Sequence, residues 1–428
     1  MTVSNTLTRT FSLFVQPKIY TVDEHRIPPE KIDSHAFYVI EKLRQAGHGA
    51  YLVGGGVRDL LLGQRPKDFD VSTSASPEEI RALFRNALLI GRRFRLAHIR
   101  FGQKIIEVAT FRAGDTEAPD LIVRDNVWGS EEQDVLRRDF TINGLFYDPE
   151  KQIVIDYVEG YQDIEKRMLR TIGQPDLRFI QDPVRMIRLI KFCARFHFEI
   201  DGPTHEALLN CKEHIINSSQ ARILEELLRM LESGSAKRFF HLLQEYGLLY
   251  LLLPGVSNYL KRDQHQVIMQ LLDEIDAEVA KQDRPPDRAV LLSALIFPIF
   301  HTHLLKQSEK TNQLPHLGQI AQEAETFIDE LFHPFFKLPR RTRGLMSFVL
   351  TSQYRFVPLD GRLRKPKVVQ DSLFPLALHL FKIRCALEPD LLPYYTQWTQ
   401  TSYSARETQE EVSTVRPKKR RRRRRNFS

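Results

Sequence analysis

Three short strings in this 428-residue chain carry residue types that handle phosphates and metal ions. The first is GGGVRD at Gly54–Asp59, where the apolar pair Leu52–Val53 enters three glycines and a helix beginning near Val57 leaves them. With no side chains in the way, backbone N–H groups and a helix start can approach a phosphate closely, and Arg58 adds a charged fork. The spacing is neither a P-loop, which needs GK[ST], nor GxGxxG. A glycine triplet alone also reads as a plain tight turn. The second string, DFDVST, places Asp68 and Asp70 two residues apart. On a strand, alternate side chains share a face about 7 Å apart. Both carboxylates then point one way and repel, unless a cation that favours hard oxygen ligands, such as Mg²⁺, lies between them. The third string, RRDFTIN, sets Asp139 beside Arg137 and Arg138. Either Asp139 or Glu107, within Ile105–Phe111, can complete an acidic set, although Arg138–Asp139 also reads as a structural ion pair.

The elements that must hold these strings follow from hydrophobic spacing. Ile32, Ala36, Val39, Ile40 and Leu43 predict a helix from Pro29 that closes at Gly47. Short runs at 50–53, 69–73, 87–90, 97–101 and 105–111 predict strands, with a helix over 77–84. Residues 113–126 are polar and aperiodic, which predicts a mobile loop. Beyond Gly160 the pattern is helical throughout, with prolines breaking it repeatedly from Pro254 to Pro366 and with His301 and His303 in a loop. The expected fold class is α+β, a mixed α/β head followed by an all-α neck and body. The expected divisions are a flexible arm over 1–28, a head over 29–159, a neck over 160–235, a body over 236–403 and a disordered basic tail over 404–428.

Charge sharpens this division. The chain has 62 basic and 54 acidic residues, a net of +8, yet nine of the basic ones lie between Arg416 and Arg425, leaving the remainder at −1. Basicity is therefore a property of the tail, where Arg420, Arg421 and Arg422 can meet an anionic partner or serve as a solubility tail. No apolar run reaches the length of about 18 residues that a bilayer requires. Met1–Val15 lacks the pattern of a signal peptide. Cys193, Cys211 and Cys385 have no CxxC spacing, which fits reduced buried thiols. A cytoplasmic protein with no membrane contact is expected, and protein partners are left open by the sequence.

GGGVRD, DFDVST and RRDFTIN, in this order and spacing, resemble the nucleotidyltransferase branch that contains bacterial poly(A) polymerases and class II CCA-adding enzymes. QDPVRMIRLIKF at 181–192 resembles that branch's nucleobase-reading motif, EDPxRMxRAxRF, and SQARILEE at 219–226 its next helix-stabilising motif. Gln181 and Lys191 depart from the usual Glu and Arg, and Gly144 stands where Ala or Ser is usual. LIGRRFRLAH at 89–98, with Arg92, Arg93 and His98, is similar to a signature of the poly(A) side.

The resemblance implies a nucleotidyltransferase head, and a body and tail that bind RNA. It implies addition of AMP from ATP to RNA 3′ ends, a form of RNA 3′-end processing, with release of pyrophosphate. Asp68 and Asp70 would hold two Mg²⁺ ions and Asp139 would complete the catalytic acids, with Glu107 the weaker alternative. Gly55 and Arg58 would contact the triphosphate and Arg138 the nucleotide. Asp182 and Arg185, one turn apart on a helix, would read a base edge, with Arg188 reaching ribose or phosphate. Arg92 and Arg93 would contact RNA. The alternatives are CCA addition to tRNA, against which the 89–98 string argues, and a non-catalytic RNA-binding adaptor, against which the complete acids argue.

Overall fold

The β-branched runs of the first half do become strands, and their pairing builds the platform for the three strings. In the computed structural model, residues 16–91, 96–113, 127–262, 266–281, 284–359 and 367–402 are described. They fall into two units, divided between Ser218 and Ser219. The first unit begins with β1 (Lys18–Tyr20) and the single turn α1 (Val22–His25). Helix α2 (Ser34–Gln45) follows, then β2 (Ala50–Val53), α3 (Gly55–Leu61), β3 (Asp70–Thr73) and α4 (Pro77–Leu83). Next come β4 (Ala87–Ile90), β5 (Leu96–Phe101), β6 (Lys104–Thr110) and the two-residue strands β7 (Arg112–Ala113) and β8 (Val127–Trp128). Helix α5 (Glu131–Leu136), β9 (Leu145–Asp148), β10 (Ile153–Asp156) and α6 (Gly160–Glu165) complete the head.

The main sheet has eight strands in the order β1-β10-β9-β2-β3-β6-β5-β4. Its pairings are antiparallel except for β3 with β6, which run parallel with Asp70 opposite Glu107. Helix α2 starts where Asp33 accepts from the amides of His35 and Ala36, and it buries Ala36, Val39, Ile40 and Leu43, the face its spacing predicts. Arg44 fastens α2 to the sheet, donating to the Ala50 carbonyl at 2.9 Å and to Asp148 Oδ1 at 2.7 Å. Val53, Phe111, Val135, Phe146 and Ile155 form an apolar cluster under the same sheet.

Several boundaries differ from those expected. Residues 18–27 are not a loose arm, because β1 pairs with β10 and His25 and Ile27 are buried. Their signal was weak because a three-residue edge strand has too few positions to show a period. Strands do not end at 160 either: β11 (Met168–Leu169) pairs in parallel with β12 (Glu199–Ile200). The expected neck is split by the unit boundary after Ser218. Helices α7 (Pro175–Gln181), α8 (Val184–Phe196) and α9 (Gly202–Cys211) belong to the first unit.

The second unit is helical, as expected, from α10 (Gln220–Leu231) and α11 (Ala236–Glu245) onward. It continues with α12 (Leu248–Leu252), α13 (Pro254–Leu260), α14 (Gln266–Lys281), α15 (Arg288–Thr311), α16 (Leu317–Phe332), α17 (Arg340–Phe356) and α18 (Phe374–Leu387). Helix α15 is longer than the sequence suggested. Its 24 residues run through Pro298 and carry His301 and His303, which are therefore not in a loop. By length and composition α15 could cross a bilayer, but two-thirds of its apolar window is buried and it packs against α14, α16, α17 and α18. It is the core helix of this unit. The three cysteines are free and buried, as expected.

Candidate active site

Gly54 sits at φ +67° and ψ −133°, a conformation that glycine alone adopts readily, and a Cβ there would lie 3.3 Å from Arg138 Nη1. The turn hands β2 directly to α3, which opens at Gly55, slightly earlier than predicted. First-turn amides of such a helix lack intrahelical partners and favour an anion. A Cβ on Gly56 would stand 3.4 Å from the Asp68 carbonyl oxygen, so α3 lies close to the segment entering β3.

Asp70 is the first residue of β3, paired with Val53 on one side and Glu107 on the other. The glycine turn therefore starts one residue beyond the partner of Asp70. Asp68 precedes the strand and is exposed, so the two acids are not alternate positions of a single strand as expected. Burial, then the Glu107 charge, push the Asp70 carboxyl up to about 6, with Asp68 adding and Arg138 opposing. Glu107 faces His98 on β5, with Nε2 and Oε1 3.3 Å apart. This is an oxygen donor set with an excess of negative charge, which suits a hard divalent cation. Among the described residues no group of three or more His, Cys, Asp or Glu side chains is gathered tightly enough to enclose a metal alone. That fits Mg²⁺, which commonly takes one or two carboxylates and completes its shell with substrate phosphates and water.

Asp139 occupies different surroundings. Its Oδ1 accepts from the Phe140 amide at 2.9 Å and from Asn143 Nδ2 at 3.0 Å, and Arg188 Nη1 lies 3.5 Å from Oδ2. Against the cost of burial, Arg188, Asn143 and Arg185 hold this carboxyl below its ordinary value. The third acid next to Asp70 is thus Glu107, and the expectation that Asp139 fills this place is corrected. Adjacent arginines in the sequence drew attention to Asp139, whereas Glu107 reaches Asp70 through strand register.

Arg58 is also corrected. It is 4% exposed, too little for a side chain that grips a triphosphate. Its Nε and Nη2 donate to Asp59 Oδ1 at 3.0 and 2.7 Å and its Nη1 to Asn143 Oδ1 at 2.6 Å. Phe192 and Phe196 of α8 stack on the guanidinium, 5.0 and 4.6 Å from its Cζ. An unbroken chain of contacts runs from Asp59 through Arg58, Asn143 and Asp139 to Arg188, connecting the glycine helix to α8.

The nucleobase-reading motif is bent by its own proline. Asp182 ends α7 and Pro183 caps α8, so Asp182 and Arg185 do not share one continuous helix as expected. Arg185 is buried and donates to the Arg137 carbonyl at 3.0 Å, and Arg178 donates to the Arg138 carbonyl at 2.8 Å. Of the expected base and ribose contacts, Asp182 and Arg188 are partly exposed, Arg188 with a third of its side chain. Arg138 is mostly enclosed, touching Asp134, Ser72 and the Asn143 carbonyl. Sequence reasoning passed over Asn143, which lay inside a quoted motif, and Asp134, whose spacing of three and four before the arginine pair was the available signal. Arg92, Arg93, Arg420, Arg421 and Arg422, and the expected loop beyond Ala113, lie outside the described residues.

Residues 50–170 match the family described as "Poly A polymerase head domain", and residues 197–260 the one described as "Probable RNA and SrmB- binding site of polymerase A". The solved structure of the Bacillus stearothermophilus CCA-adding enzyme in complex with CTP is similar, with a TM-score of 0.62 and 26% identity, covering 88% of this chain and 83% of that one. The sheet, the glycine turn and the carboxylates beside it thus define a nucleotidyltransferase head joined to a helical region. Poly(A) polymerase I of Salmonella typhi is 36% identical over 88% of this chain and 83% of its own length, and that of Haemophilus influenzae 34% identical over 90% and 88%. A CCA-adding enzyme of Bacillus pumilus is 34% identical over 57% of this chain and 61% of its own. The chain belongs to the poly(A) polymerase family, the polynucleotide adenylyltransferases.

Proposed function

We propose that this chain extends RNA 3′ ends with AMP from ATP, without a template, in the cytoplasm. The observation that carries the reading is the register of β2, β3 and β6, which sets Asp70 between Glu107 and the start of the glycine turn. Asp68 and Asp70, with Glu107 beside them, are the residues that would hold two Mg²⁺ ions. Bound there, such ions would supply charge neutralisation for the triphosphate and a lowered pKa for the RNA 3′-hydroxyl. The 3′ oxygen attacks the α-phosphate, the bond to the β-phosphate breaks, and pyrophosphate leaves.

The protein's share is placement. Gly54 and Gly55 let the backbone approach the triphosphate. Arg58 supports that turn from behind, through Asp59 and Asn143. Asp182, at the end of α7, and Arg188, within α8, select the nucleotide, so protein groups stand where a template base would. Arg92 and Arg93 contact the RNA, and the basic tail with Arg420, Arg421 and Arg422 retains it through phosphates.

The test offers ATP, CTP, GTP and UTP separately to a generic RNA primer with Mg²⁺. A long ladder with ATP alone is expected, and Asp70→Asn should abolish it while leaving the thermal midpoint unchanged or higher. CTP addition to a tRNA lacking its 3′ end, with arrest after three nucleotides (about the length of one CCA), would favour tRNA end repair instead.

A further inference from the structure

Asp134 is an acid with no solvent exposure, carried on a helix of only six residues. Helix α5 is already closed at its start by a reciprocal cap, in which Ser130 Oγ accepts from the Gln133 amide and Gln133 Oε1 accepts from the Ser130 amide. The Asp134 carboxylate instead gathers donors from the chain on either side of the helix. Oδ1 accepts from Arg137 Nε and Nη2 at 2.9 and 2.6 Å and from the Arg112 amide at 3.2 Å. Oδ2 accepts from Arg138 Nη2 at 2.8 Å. Although burial opposes ionisation, the Arg138 and Arg137 charges hold this carboxyl below its ordinary value, so it is charged. Buried ion clusters contribute little net stability, because desolvation offsets most of their attraction. What such a cluster supplies is position.

The positions it fixes belong to the active site. The Arg138 guanidinium that Asp134 holds also reaches Ser72 Oγ on β3 and the Asn143 carbonyl, each at 3.3 Å. It lies over the Phe146 ring, 5.5 Å from the centroid, and fills the space that a side chain on Gly54 would need. Ser72 is two residues beyond Asp70 on the same strand. Arg112 is the first residue of β7. One carboxylate therefore ties together the back of the glycine turn, the strand that carries Asp70 and the start of β7.

We propose that Asp134 is a positioning residue for nucleotidyl transfer, holding Arg138 against the Gly54 turn and Ser72 so that the turn and the Asp70 strand keep one separation. The inference rests on the nucleotidyltransferase reading of the site. Asp134 meets no reacting atom and acts through Arg138.

Asp134→Asn preserves shape and removes charge. At a temperature well below the thermal midpoint, it should lower kcat/KM for ATP by about tenfold to a hundredfold, the scale of a small misplacement. KM for the RNA primer should be unchanged. In an Arg138→Met background the same substitution should cost about twofold at most, because the residue it acts through is gone. Losses that multiply in the double variant would overturn the proposal, since independent structural damage behaves that way. Asp134→Glu keeps the charge that α5 and its arginines require, but moves the carboxylate by one methylene. It should fold and still lose part of kcat/KM, and it decides the matter alone if Asp134→Asn does not fold. Wild-type kcat/KM in either folded variant would overturn the positioning role. Wild-type protein that adds no AMP in the parallel assay would overturn the polymerase reading, and this proposal with it.

Discussion

Arg58→Met separates two roles that the GGGVRD string cannot distinguish. The substitution keeps an unbranched stem against Phe192 and Phe196 but removes a guanidinium that makes two bonds to Asp59 and one to Asn143. Asp59 is 6% exposed and would be left with Arg195, 3.4 Å away, as its charge partner. Removing one partner of a buried ion pair costs about 3–5 kcal/mol. Urea unfolding should therefore show the first unit losing stability on that scale, a midpoint shift of about 1–5 M for ordinary urea slopes. Circular dichroism would follow both units, while in a Trp128→Phe background fluorescence of the buried Trp398 follows the second alone, so a transition that shifts without Trp398 belongs to the first. Adding Asp59→Leu should recover part of the loss, because no unpaired acid is left behind. Unfolding at the wild-type urea concentration, together with a KM for ATP raised tenfold or more (about 1.4 kcal/mol), would refute the buried role and restore the direct triphosphate contact.

Two further expectations test the frame around the site. Gly144 has φ −89°, which alanine accepts, but an added Cβ would lie 2.7 Å from Val158 Cγ2 and 3.2 Å from both Ile172 Cδ1 and Val135 Cγ1. Valine is stiff about χ1, so Gly144→Ala should cost about 1–3 kcal/mol and lower the thermal midpoint, with Val158→Ala restoring much of it. An unchanged midpoint in the single variant would show that the cluster yields freely. At Asp148, burial opposes ionisation, but the Arg44 hydrogen bond and the Lys151 and Glu150 amides prevail and hold its carboxyl low. A lowered folded-state pKa contributes stability that is complete above the unfolded value, about 3.9, and is lost as pH falls through the folded one. The urea midpoints of wild type and Asp148→Asn should therefore differ most at neutral pH and converge in acid; a constant gap would exclude this linkage.

The parts of the site that depend on neighbours in sequence were legible. Three glycines after an apolar pair announce the turn at Gly54, and the alternation through Val71 and Thr73 announces β3. Parts that depend on distant pairing were not. Nothing near Glu107 reports that β6 runs parallel to β3, so its approach to Asp70 is visible only once the strands are placed. Arg58 has a motif position but no outward mark of burial, because the rings that cover it come from α8. Asp182 and Arg185 read as one helical face because the break at Pro183 was discounted. The prolines near 285 and 315 did bracket α15, yet Pro298 passed through it without ending it, since a packed helix tolerates one missing amide bond when its neighbours hold it in place.

The three buried cysteines have a practical consequence. Burial, then Asp176, push the Cys211 thiol up to about 11, and burial raises that of Cys385 as well, so neither offers much thiolate at neutral pH. Thiol-directed reagents should pass over the folded native chain. A cysteine introduced at an exposed site in each unit then becomes the addressable pair for a donor and an acceptor dye. The wild-type sequence is in this sense a ready background for single-molecule work, with no native residue to remove first.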